Sequence, residues 1–169
     1  MSGYKPYTQE ERRRMDHDQR DPRWLAWLER MDEQLNRFFT EKVTDMPEDP
    51  WSAEGLNRAE AAALRIFPTM ESVDLPENRE VADQFHRYVG EVFRRNFEGE
   101  WYNVPSYDDE QRTRGFGPVI REGYNPEYLT VVPLLTTAMF RRTGVEWSQI
   151  FGYSEEDYTA WKSRESSPE

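Results

Sequence analysis

The segment Tyr88-Val89-Gly90-Glu91 through Gly99-Glu100-Trp101 changes period part-way along, and no other stretch constrains the fold as much. Val81, Phe85, Tyr88, Val89, Val92 and Phe93 recur at the spacing of an amphipathic helix starting after Pro76. Beyond Gly99 the pattern becomes strand-like, with Trp101 and Tyr102 pointing to opposite faces. Gly99 sits where a left-handed cap ends a helix, and Arg94 and Arg95 lie near the negative end of the dipole.

The rest of the chain reads outward from this boundary. Asp21-Pro22 is a helix start, because Asp offers a capping oxygen and Pro at the first position has no N–H to leave unpaired. The spacing of Trp24, Leu25, Leu28, Met31, Leu35 and Phe38 predicts a helix over 22–43. Asp49-Pro50 repeats the signal, and Leu56, Ala59, Ala63 and Ile66 form a stripe that Pro68 stops. Short strands are expected at Trp101–Val104, Val119–Arg121 and Tyr128–Val132. A helix follows from Pro133 to about Arg142, then two short ones, Val145–Phe151 and a second capped by Ser154. The expected class is α+β: mainly helical, with a small antiparallel sheet between the third helix and the C-terminal helices. Residues 1–20 read as a flexible arm or a short packed-on helix, 21–164 as a single α+β domain, and 165–169 as a frayed tail.

Composition narrows the function. The mean hydropathy of -1.01 and 33% charged residues would suit a disordered chain, but six Trp, nine Tyr and nine Phe require a core. The net charge of -11 is spread along the chain and interleaved with 22 basic residues. That argues against binding nucleic acid through phosphates and against a concentrated acidic mimic of it. With no cysteine, thiolate chemistry and Cys-ligated metals are out. Met1–Arg20 has no apolar run of the kind a secretory signal needs, and no stretch is long enough to span a membrane. A soluble cytoplasmic protein is expected, with no metal and no cofactor, and with its oligomeric state open.

Only His17 and His86 are available as imidazole bases. His86 lies one turn after Asp83, which would orient it; the plainer reading is a partly exposed helix histidine. Glu91 follows Gly90 in mid-helix, with Arg94 and Arg95 three and four residues on. A catalytic acid there is the sharp reading, and a structural ion pair beneath the sheet the plain one. Ser52, Ser106, Ser148 and Ser154 stand beside turn and cap signals rather than in a nucleophile elbow. One of Trp101 and Tyr102 should be exposed near Tyr107, Phe116 and Tyr124, and a rim of Arg112, Arg114 and Arg121 would make that cluster a binding patch. The alternative is that the loop folds over and buries it.

Tyr88-Val89-Gly90-Glu91, then Gly99-Glu100-Trp101, then a strand pair and Val132-Pro133 leading into a helix resembles a group of uncharacterised, largely actinobacterial domains. These share a Tyr-Leu/Val-Gly-Glu helix followed by a Gly-x-Trp strand. The likeness covers roughly residues 80–143; the long Pro105–Phe116 loop departs from the group's tighter hairpin. It implies the fold and no activity.

The leading expectation is a non-catalytic protein-binding module of an accessory or immunity-like kind, with a protein partner. A small hydrolase using Glu91 with His86 or Arg94 is the second, and a homo-oligomeric structural protein the third.

Overall fold

A computed structural model describes residues 6–105 and 115–166. The elements run α1 (Gln9–Asp18), α2 (Pro22–Glu29), α3 (Met31–Arg37), α4 (Ala53–Ile66), α5 (Arg79–Asn96), β1 (Glu100–Asn103), β2 (Pro118–Arg121), β3 (Leu129–Thr130), α6 (Val132–Arg141) and α7 (Glu146–Ser166). The fold is α+β and mainly helical, with one antiparallel sheet in the order β1-β2-β3.

α5 is the axis of the molecule. From Val81 to Phe93 almost every residue is buried, including the polar Gln84, His86, Arg87 and Glu91. The amphipathic pattern therefore understated its burial. The polar side is covered too, and Gln84, Arg87 and Glu91 on it, like Tyr88, form hydrogen bonds inside the protein. Gln84 donates to Gln34 at 3.0 Å, Arg87 to the Trp27 carbonyl at 2.7 Å, and Tyr88 to the Pro50 carbonyl at 2.6 Å. Phe38 packs on Phe85 and Tyr88 of its apolar side, and Trp147 reaches Phe85 from α7.

The helix expected over 22–43 is broken at Arg30, which ends α2 and begins α3. The break lets α2 turn Trp24 and Trp27 toward Phe116 and Trp101 while α3 lays Met31, Gln34 and Leu35 in the core. Phe38–Lys42 then continues as a π-helical turn, closed by the Val43 N–H on the Phe38 carbonyl at 2.9 Å. Ser52, and not Asp49, caps α4: its Oγ accepts the Gly55 N–H at 3.1 Å. Pro68 follows the end of α4 as expected.

Residues 9–18 form a helix with a capping box between Thr8 and Glu11. The end of α1 is tied to the sheet. The Gln19 amide accepts the Asn103 N–H and donates to the Asn103 carbonyl, both at 2.8 Å, as a neighbouring strand would. That occupies part of the β1 edge.

Two C-terminal expectations change. The left-handed residue after α5 is Glu98, with φ 53, and the Gly99 N–H reaches back to the Arg94 carbonyl. Gly99 is needed for space instead: a Cβ there would lie 2.6 Å from Ile120 Cγ2. The two short helices expected at the end are one, α7, running straight through Gly152 and Ser154. Its first N–H groups are anchored in the core. Buried Glu60 of α4 accepts the Glu146 N–H at 3.1 Å and the Trp147 N–H at 2.9 Å. This tertiary cap fixes where α7 begins, and the local Ser154 signal is overridden.

Candidate functional site

The sequence-derived candidates fall in several places. Glu91, Arg94, Arg95 and Trp101 come together at the crossing of α5 and β1. The Glu91 carboxylate, almost wholly enclosed, accepts Arg94 Nε at 2.8 Å and Arg94 Nη2 at 2.9 Å, Arg95 Nε at 2.8 Å and Trp101 Nε1 at 2.9 Å. Burial opposes its ionisation, but the hydrogen bonds from Arg94, Trp101 and Arg95 outweigh it and hold the carboxyl below its ordinary value. An ionised carboxylate with four donors on it has no proton to give and little room to accept one. Gly90 explains why the ring fits: a Cβ there would stand 2.1 Å from Trp101 Cη2. Trp27 meets the same ring edge-on at 5.0 Å. The Tyr-Val-Gly-Glu and Gly-x-Trp residues are thus the parts of one interlock between helix and strand.

His86 is not part of that node. It lies five residues from Glu91, about 140° around α5 at 3.6 residues per turn. It is buried, at 3% exposure, where the sequence suggested partial exposure, because the sheet and α6 close over this side of α5. His86 lines a cleft of about 750 Å³ bounded by α5, the Glu71–Asp74 turn, β2, β3 and the start of α6. Asp83 lines it too. Its carboxylate accepts Trp27 Nε1 at 2.8 Å and Arg87 Nε at 2.7 Å. Burial again works against the charge, and the Arg87 guanidinium and these hydrogen bonds win, leaving Asp83 below its ordinary value. Phe116, Val119, Val73 and Val132 supply apolar wall, and Asp74 and Arg79 lie at exposed positions on the lining. A second depression of about 460 Å³ lies between the π-helical turn and the start of α5, where Arg37 already pairs with Glu41 and Glu80.

The aromatic patch expected around Tyr102 is dispersed. Tyr102 is buried on the sheet face away from Trp101, stacked on Tyr128 at 5.7 Å under the Arg121 guanidinium at 4.3 Å. Arg121 also pairs with Glu100, its cross-strand neighbour. Phe116 turns the other way, onto Trp24 and Trp27 at 5.8 and 5.9 Å. Tyr124 joins Phe97, Tyr158 and Trp161 beside α7. The reason is alternation: consecutive strand residues face opposite ways, so one short sheet spreads its aromatics over both sides. Tyr107, Arg112 and Arg114 lie outside the described residues.

Among the described residues, no three or more His, Cys, Asp or Glu side chains are placed to hold a metal ion, and no helix is long and apolar enough to cross a membrane.

Sequence reasoning missed four positions. Glu60 carried a signal, since it lies four residues after Leu56 and three before Ala63, on the apolar stripe of its helix. Gly152 was read as part of a break between helices. It is the middle of α7, where a Cβ would meet nothing within 4 Å. Tyr153, next to it, is 68% exposed; Val145, just before α7, is 41% exposed and Phe140, at the end of α6, 72%. The others are Asp74 and Arg79, unmatched among the described residues, which no local pattern marks.

Comparison of the chain with protein-family models, with curated proteins and with solved structures returns no match. The resemblance carried by Tyr88–Glu91 and Gly99–Trp101 stands on those residues alone.

Proposed function

We propose that this protein is a non-catalytic protein-binding module and that the outer face of α7, with the exposed end of α6, is its docking surface. The observation that carries this reading is Gly152. A glycine inside a helix costs about 1 kcal/mol against alanine. Among the described residues nothing demands it, since no atom of them would lie within 4 Å of a Cβ there. A bare backbone beside Tyr153, with Val145 about two turns back at the start of the helix, suits the close approach of another chain. Glu155, Glu156 and Asp157 follow directly and are exposed, so the fitting partner carries basic residues around an apolar contact.

The enzymatic alternative needs Glu91 with His86 or Arg94 in one pocket. Arg94 is spent pairing with Glu91. Glu91 and His86 lie on different sides of α5, and Glu91 is saturated with donors.

The test is affinity capture from the source cells with wild type, Gly152→Leu and Tyr153→Asp. Wild type should recover a stoichiometric basic protein that added salt releases, and both variants should lose it with their unfolding midpoints intact. A partner retained by both variants, or repeated captures of the bare 20.3 kDa chain, would overturn the reading. Light scattering of the purified protein separates a foreign partner from a second copy: a mass of 40 kDa or so in place of 20.3 kDa would assign the face to self-association, again against the proposal.

A further inference from the structure

The cleft beside α5 holds two opposite charges that the described residues leave unmatched. Asp74 closes the short turn at one side of it, and Arg79 opens α5 at another. Both side chains are exposed, and neither makes a hydrogen bond or ion pair among the described residues. The smaller depression is the internal contrast, for there Arg37 is already matched by two acids. The other acid on the cleft, Asp83, is also spoken for by Arg87 and Trp27. Between the free charges the wall is apolar, with Val73, Phe116, Val119 and Val132. The volume of about 750 Å³ lies within the roughly 300–1,000 Å³ usual for small-ligand sites.

We infer that this cleft binds a small zwitterion with an apolar body, of the chemistry of a short apolar peptide with free termini. A simple anion would meet Asp74 and Asp83 as well as Arg79. A simple cation would meet Arg79. A ligand carrying both charges gives Arg79 a carboxylate, which its fork of donors holds bidentately, and gives Asp74 an ammonium. Its apolar side chains take the walls between. The site lies on elements other than the outer face of α7 and is independent of what docks there.

The experiment is a calorimetric and NMR titration with the dipeptide leucyl-phenylalanine, its N-acetyl form and its C-terminal amide. The free dipeptide should bind saturably, with shifts at Val73, Val119 and His86. Each edited form should bind at least about tenfold more weakly, the equivalent of about 1.4 kcal/mol for one lost charged contact. Asp74→Asn should weaken the free dipeptide to the level of the acetylated one and leave the acetylated one unchanged. Arg79→Gln should do the same with respect to the amide. Both positions are exposed, so the unfolding midpoint should not move. Gly152→Leu should bind the dipeptide as wild type does. Absence of saturable binding, equal binding of the three forms, or full affinity in either variant would each overturn the inference.

Discussion

Gly90 and Gly152 each sit in the middle of a long helix, and the chain uses them in opposite ways. Gly90 is filled from inside: the Trp101 ring lies where its side chain would be, and Glu91 and Trp27 hold that ring. Gly152 is filled by nothing among the described residues, and exposed Tyr153 stands next to it. The first glycine is explained by the fold. The second has its cost without an internal return, which turns attention to what lies outside. The lesson is that a helical glycine is informative only once the volume beside it is known.

Four changes should break or sharpen that contrast. The largest is Gly90→Ala. Its Cβ cannot coexist with the Trp101 ring, so the loss should reach about 3 kcal/mol, the upper range for overpacking, in urea unfolding. Adding Trp101→Leu should recover part of it, and strict additivity would show that the ring is not the obstacle.

Next is Glu60→Ala, which uncaps the inner face of α7. Two N–H groups lose their acceptor, at a cost of about 2 kcal/mol. Hydrogen exchange should quicken first at Glu146 and Trp147, leaving α5 protected. Uniform acceleration would mean that the cap is not local to α7.

Glu91→Gln is smaller, about 1 kcal/mol at neutral pH, because Arg94 and Arg95 are partly exposed and water replaces much of their pairing. The sign follows from linkage. Glu91 in the fold has a lower pKa than in the unfolded chain, so its ionised form stabilises the fold. That contribution is present above the unfolded value of about 4.3 and disappears as the pH falls through the lower folded value. Wild type and variant should differ most near neutrality and converge in acid; a gap that widens in acid would contradict the ion pair.

The smallest effect is Gly152→Ala, a gain of up to about 1 kcal/mol, seen as a higher midpoint. If alanine destabilises, the open space beside Gly152 is not open, and the proposed surface fails with it.

The sequence by itself determined the type of most elements, because periodicity, caps and prolines act within a few residues. The switch from helix to strand around Gly99, the three short strands and the stop at Pro68 all follow from local chemistry. The plain reading of Glu91 as an ion pair with Arg94 and Arg95 was legible for the same reason, since helix geometry puts those side chains together. Only the tertiary structure decided what lies beyond a few residues' reach. It joined α7 across Gly152 because Glu60, far away in sequence, caps its start. It buried His86, because α5 is packed on all sides and not on one. It sent Tyr102, Phe116 and Tyr124 to three different neighbourhoods, since a face is chosen by what packs against it. Asp74 and Arg79 share a cleft for the same reason: a cavity is a property of packed elements, and no single segment encodes it.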